Sequence, residues 1–332
     1  MRRTLSAVGL FFLAPLVAEF LLGNLPITLL SSLIVLAPMY GGGALLVREA
    51  VRRTGRGWSS IFVLGLAFGI AEEAFMTQSL FNPDYLGLHA HLLQPAYIPA
   101  LGIGAWWTVF VLTLHTVWSI SVSIALMESM VPERANKPWL GDVGLGLVTL
   151  LFVLASIAIA KYTVQHDATH FMASRIQFAS SAVVLVVLVT VSFFMPKRGT
   201  SKSVGEAPSP WLVGAIALSA SSLFIIFPVK WGWWAVAVYL LLYVAMTLIV
   251  TSWARRSGWD SRHRLALAAG AAMTYAWHAF VQPPSAGGGG TTARIGNVVF
   301  AIAAVAVIGV AAKKTTAYSR QRAASADVVS AD

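Results

Sequence analysis

The chain has 332 residues, of which 58% are hydrophobic and 11% charged, with a mean hydropathy of +0.75. A soluble chain carries about a quarter charged residues, so this composition excludes a water-soluble fold and demands a bilayer as solvent. The net charge of +10 becomes a question of where the cations sit, and the absence of cysteine excludes disulfides, thiolate metal sites and cysteine nucleophiles.

A spanning helix takes about 20 apolar residues. Ten stretches qualify: 4–22, 26–46, 59–81, 104–128, 142–160, 176–195, 210–229, 231–252, 264–282 and 296–312. The first follows Met1-Arg2-Arg3 like a signal peptide, but Glu19 and Phe20 stand where a small-x-small cleavage site belongs, so it reads as a retained span. With the N-terminus cytoplasmic, 19 of the 23 Lys and Arg fall on the cytoplasmic side, and only Lys161, Arg175, Lys230 and Arg294 fall opposite. The positive-inside rule predicts this asymmetry. The expected fold is therefore all-α, a polytopic bundle of about ten transmembrane helices in the cell membrane, with both termini cytoplasmic.

Residues 196–210, rich in Ser, Pro and Lys, read as a cytoplasmic linker between a six-helix bundle (1–195) and a four-helix bundle (211–313). Residues 283–290 read as a flexible outer loop, and 314–332 as a cytoplasmic tail ending in a small, polar, disordered segment. The basic clusters read as topology signals beside anionic headgroups, so the expected partners are membrane lipids and no nucleic acid. Trp106, Trp107, Trp231, Trp233, Trp234 and Tyr97 read as an interfacial belt. Glu19 and Glu128 fall near interfaces and are given no special role. Gly41–Gly43 hints at a break in the second span. No internal repeat is evident.

Ionisable residues at membrane depth are expensive and are functional candidates by default. The third span contains Glu72 and Glu73 in an otherwise apolar helix. Gly65, Gly69, Glu73 and Thr77 share one face, and the two glycines let another helix come close, which turns the carboxylates toward protein. Two such carboxylates cannot both ionise cheaply in a low dielectric, the setting a general acid or base requires. The fourth span adds a stripe of Thr108, His115 and Ser119, and the ninth a stripe of Thr274, His278 and Gln282. Counting about 1.5 Å per residue, the three stripes are compatible with one layer in the outer half of the membrane. In the outer loops His89, His91, His166 and His170 read as solvated polar residues, although the i, i+4 spacing of the last two is ligand spacing on a helix.

The glutamate pair with histidines in a helical bundle resembles the glutamic intramembrane peptidases, the superfamily of CAAX-processing and bacteriocin-processing enzymes with the related PrsW proteases. Glu72 and Glu73 match the acidic pair of the first motif, while Met76, Thr77 and Gln78 stand where its Lys or Arg belongs. His115 matches the histidine of the second motif, with Val111 at the aromatic position and Phe110 one residue out of place; alternatively His115 and Ser119 fit the PrsW histidine motif. His278 and Gln282 form a loose counterpart of the final motif. The resemblance implies water activation by Glu72 as general base, with Glu73 orienting it, His115 stabilising the oxyanion or positioning the water, and His278 as a further site residue. It implies no cofactor and no metal, and a membrane-protein or peptide substrate. Two other readings stay open: a proton- or cation-coupled transporter using the same groups as a relay, and a non-enzymatic membrane protein held together by them. The sequence leaves the oligomeric state open.

Overall fold

The computed structural model describes residues 2–87, 89, 91–167, 169–195, 197 and 203–329. It is built from ten long helices: α1 (Thr4–Leu21), α2 (Ile27–Arg53), α3 (Trp58–Met76), α4 (Ala105–Met130), α5 (Asp142–His166), α6 (Arg175–Phe194), α7 (Pro210–Ile226), α8 (Trp233–Ala254), α9 (Ser261–His278) and α10 (Thr291–Val329). Two minimal ladders accompany them. Strand β1 (Tyr97–Ile98) pairs antiparallel with β2 (Ile103–Gly104), and β3 (Ser203–Glu206) pairs in parallel with β4 (Arg256–Ser257).

Eight of the helices are long and apolar enough to cross a membrane; α7, with 17 residues, and α9 are the other two. Their sequences explain the difference. Helix α9 opens with the polar turn Ser261-Arg262-His263-Arg264 and continues rich in Ala, and among the described residues it buries one side against α4 and another against α7. A Cβ on Gly270 would lie 2.4 Å from the Gly214 carbonyl oxygen, so only glycine permits this approach. The two arginines and two histidines of α9 lower its hydropathy, while its small side chains allow the close packing. In contrast, α5, α6, α8 and α10 leave most of their apolar side chains outside the bundle, as lipid-facing helices do.

Helix starts follow local chemistry. Ser174 and Gln177 form a reciprocal capping box at α6, Ser209 precedes Pro210 at α7, and Asp260 accepts from Arg262 N at α9. The segment read as a linker contributes β3, and its residues 196 and 198–202 lie outside the described set. The last helix runs on to Val329, well past the point where the sequence reading ended the span and began an irregular tail; residues 330–332 lie outside the described set.

Lipid tails offer no hydrophobic gain for bringing apolar helices together, so packing and buried hydrogen bonds must hold them. Helix α4 is the hub. Its Trp118 stacks on Tyr275 of α9 (centroids 4.5 Å apart, planes at 3°) and donates from Nε1 to the Ala271 carbonyl at 2.8 Å. The core around it joins Val17 and Leu21 of α1 with Phe224, Tyr239 and Leu265 from beyond the linker, so the two sets of helices share one interior.

The four N-terminal helices are not uniform α-helix. Each contains a π-helical stretch: Leu16–Leu21, Ala37–Gly41, Ala71–Met76 and Leu114–Val122. Pro15 precedes the first, and Pro38 lies within the second; a proline lacks the N–H that the α-helical ladder needs. The break hinted at by Gly41–Gly43 is this π turn, and Gly42 and Gly43 themselves continue as α-helix. In α4, Ser123 Oγ bonds back to the Trp118 carbonyl, a side-chain interruption of the ladder.

Candidate active site

All four π stretches carry polar side chains to one place. Glu19 comes from the first, Tyr40 from the second, Glu72 and Glu73 from the third and His115 from the fourth. A π turn inserts one extra residue and rotates the following side chains, which is why such turns recur at functional sites.

His115 lies between the two glutamates. Its Nε2 is 2.7 Å from Glu73 Oε1, and its Nδ1 is 3.0 Å from Glu72 Oε2. Exposure is 2% for Glu72, 5% for Glu73 and 6% for His115, so the contacts are shielded from water. The first is a directed hydrogen bond. The second is a close charge contact out of line for a hydrogen bond, and Glu72 Oε2 accepts none. The partner nearest in line to Nδ1 is Ser119 Oγ at 3.4 Å.

The two carboxylates differ in what holds them. Glu73 is saturated: Oε1 faces His115, and Oε2 accepts from Thr77 Oγ1 at 2.8 Å and from Ser79 Oγ. Ser79 in turn accepts from Trp107 Nε1 at 2.9 Å, so Trp107 buttresses the site. Thr77 stands in the stretch where the resembled peptidase motif has a cation, and with Ser79 it supplies hydrogen-bond donors without a charge. Ser79 reaches back because Gln78 ends the helix at φ +55°, a left-handed conformation that costs a non-glycine residue about 1–3 kcal/mol. Gln78 is kept there by Ala173 N, which donates to its Oε1 at 2.8 Å. Glu72 is bound only on one side, where Tyr40 Oη lies 2.8 Å from Oε1.

The glycine face of α3 does what its spacing predicted, and α4 is the helix it admits. A Cβ on Gly69 would come within 3.2 Å of the Cβ of His115, and one on Gly65 within 3.3 Å of the Thr116 carbonyl oxygen.

Of the four residues singled out in the sequence, the structure brings together Glu72, Glu73 and His115. It does not join His278 to them. Among the described residues, His278 makes no hydrogen bond or ion pair with that group and sits edge-on to Trp277, with its Nδ1 buried. Its stripe has other work: Thr274 bonds Ser221 of α7 at 2.6 Å, and Gln282 donates to the Leu22 carbonyl at 3.0 Å. Thr108 likewise turns to its own helix, donating to the Gly104 carbonyl.

Glu19 and Glu128 both have specific partners, against expectation. Glu19 Oε1 lies 2.6 Å from Tyr40 Oη, and Asn24 Nδ2 donates to its Oε2 at 2.5 Å. Glu128 receives Arg52 in a two-pronged pair, at 2.7 and 2.8 Å, with Arg48 Nε 3.1 Å away. Arg48 has 0% exposure, stacks on Trp139 at 3.3 Å and donates to the Ala135 and Lys137 carbonyls. Two of the arginines counted as headgroup-facing topology signals are therefore structural ions inside the protein. This layer lies about 20 Å from His115 along α4, counted by helical rise.

The histidines expected in outer loops form no metal-like grouping among the described residues. His166 and His170 turn Nδ1 to the Tyr162 and Val164 carbonyls, and His89 pairs with Asp84. Glu72, Glu73 and His115 do offer three ligand atoms within 4.8 Å of one another. Both ring nitrogens already face a carboxylate, so the group closes on itself, and a cation would have to displace one of those contacts.

Fold and site together define a multi-pass helical membrane protein with a buried carboxylate–imidazole centre near one end of its first four helices. The chain belongs to an uncharacterized membrane protein family, matched over residues 9–325. No curated protein and no solved structure matches it. No comparison ties it to the glutamic peptidases, so that reading rests on the residues alone.

Proposed function

We propose that the Glu72–His115–Glu73 centre activates water to hydrolyse a peptide bond of a membrane-protein or peptide substrate within the bilayer. The observation that supports this reading is the asymmetry of the pair. Glu73 has both oxygens occupied and orients His115, whereas Glu72 Oε2 is buried with its lone pairs unused. A general base needs that free lone pair. Glu72 Oε2 takes a proton from water as the water oxygen attacks the carbonyl carbon. His115 Nδ1, whose 3.0 Å contact with Glu72 Oε2 is out of line for a hydrogen bond, donates to the developing oxyanion. The proton on Glu72 then passes to the leaving amine as the C–N bond breaks. Glu72 takes up the proton of the newly formed carboxylic acid, so that the acyl product leaves as a carboxylate and one proton remains on Glu72. His278 stays outside this mechanism.

With this function goes the proposed arrangement of ten spans with both termini cytoplasmic. A reporter fused after Gly199 should read as cytoplasmic and one after Gly288 as external. An external signal at Gly199 would break the arrangement.

The activity test uses the purified full chain in nanodiscs with a library of membrane-spanning peptides, read by mass spectrometry in 18O-labelled water. Cleavage with one 18O in the new carboxyl group, lost in Glu72→Gln, is expected. Cleavage that persists in Glu72→Gln would refute the assignment. Proton flux in liposomes without cleavage of any peptide would replace the hydrolase by a proton-coupled carrier.

A further inference from the structure

Tyr40 Oη touches two carboxylates at once, Glu19 Oε1 at 2.6 Å and Glu72 Oε1 at 2.8 Å. A phenol has one proton and can donate it to only one of them. The second contact needs a proton as well, and the only other atoms able to bring it are the carboxyl oxygens themselves. Glu19, Tyr40 and Glu72 therefore make up a hydrogen-bonded chain over which protons are shared.

The chain leads outward. Glu72 and Tyr40 are buried, Glu19 is partly exposed, and beyond it Asn24 Nδ2 donates to Glu19 Oε2. Asn24 is bound by exposed Ser285 of the outer loop, whose N–H donates to its carbonyl at 2.9 Å and whose hydroxyl reaches its side chain. Tyr40 has little freedom to leave this line. Its ring stacks on His115 (6.0 Å, 18°), and the backbone at the next residue, Gly41, is pressed so closely on Phe11 that a Cβ would lie 1.9 Å from the Phe11 carbonyl oxygen. A mere tie between helices would not need a second carboxylate on the same phenol.

We propose that Tyr40 and Glu19 are the proton outlet of the Glu72 centre, connecting it to the side of the membrane where Asn24 and Ser285 lie; the kinetic part rests on the water-activating reading above. The transfer balances without any further reactant. The carboxyl proton of Glu72 moves to Tyr40 Oη while the phenol proton moves to Glu19 Oε1. Glu72 becomes a carboxylate, Glu19 a carboxylic acid, and Tyr40 remains a phenol. Glu19 then releases its proton to water.

Two measurements test this on the full chain in nanodiscs. The first is infrared difference spectroscopy during transfer to deuterated buffer, and it needs no substrate. A protonated carboxyl band is expected, shifted in Tyr40→Phe, exchanging more slowly in Glu19→Gln, and missing in the Glu19→Gln/Glu72→Gln double variant. A band absent from the wild type, or unmoved by Tyr40→Phe, overturns the proposal whatever the protein's activity. The second is kinetic. Tyr40→Phe and Glu19→Gln should lower kcat about 10-fold with KM unchanged, less than the ~10²–10⁴ expected for loss of the base itself. The solvent deuterium isotope effect should rise, and Glu19→Asp should recover most of the rate. If Glu72→Gln abolishes cleavage while both outlet variants keep wild-type kcat and isotope effect, the outlet fails and the hydrolase stands. If Glu72→Gln leaves cleavage intact, the hydrolase fails, and the infrared result alone decides the shared proton.

Discussion

Thr77 Oγ1 donates to Glu73 Oε2 across 2.8 Å, one helical turn further along the same chain segment. This hydroxyl occupies the stretch where the resembling peptidases place a cation, and with Ser79 it saturates the outer oxygen of Glu73. A hydrogen bond to a charged group contributes roughly 1.5–3 kcal/mol, more than one between neutral partners.

Thr77→Val keeps the shape of the side chain and removes the donor. In the cleavage assay it should lower kcat about 10-fold, the equivalent of about 1.4 kcal/mol, with a small change in thermal stability. Ser79→Ala should do the same and also release Trp107, visible as a shift in tryptophan fluorescence. An unchanged kcat in both variants would mean that Glu73 needs no help to hold His115.

The Arg48–Arg52–Glu128 layer makes a prediction of a different kind. Removing one partner of a buried ion group leaves the rest uncompensated and costs about 3–5 kcal/mol. Glu128→Ala strips Arg52, 4% exposed, of its carboxylate partner and leaves the fully buried Arg48 with Glu49 alone, 2.9 Å away. Its thermal unfolding midpoint in detergent should fall well below that of Glu72→Gln, which keeps its size and its contact with Tyr40. Equal stabilities for the two variants would show that the layer contributes nothing beyond topology.

Asp167 sets a pH window at the turn between α5 and α6. Burial pushes its carboxyl up, but hydrogen bonds from Thr169 and Asn82 and from the Thr169 and Phe171 N–H groups outweigh that and hold it at about 2. Its folded value lies below the unfolded value of about 3.9, so its contribution is present above that value and is lost as pH falls through about 2. The gap in unfolding temperature between wild type and Asp167→Asn should be constant above about pH 5 and close between about pH 4 and pH 2. A gap that stays constant to pH 2 would show that the turn is held by other contacts.

The parts of this site that could be read from sequence were those whose chemistry clashed with their surroundings. Two carboxylates in an apolar helix, a histidine in the next span and glycines one turn apart each stood out, and the close pairing of α3 with α4 followed. Tyr40 did not stand out, because a tyrosine in a membrane helix is ordinary. Glu19 sits two residues from the end of α1 and looked interfacial until α2 bent toward it. The signal for both was Pro15 and Pro38, since a proline inside a span marks the place where the ladder loosens and side chains are redirected. Arg48 and Arg52 were counted for topology alone, although their spacing of four put them on one face at the depth of Glu128. His278 shows the opposite error. Its stripe has helical period, but that period packs α9 against α7 and says nothing of depth or direction in the bundle.

The proposed centre requires Glu73 and His115 to act as one unit, and a double-mutant cycle on kcat tests that directly. Glu73→Gln and His115→Ala should each lower kcat by about 10²-fold or more, and the double variant should be little worse than either single one. Losses that multiply in the double variant would show two independent residues and contradict the centre described here.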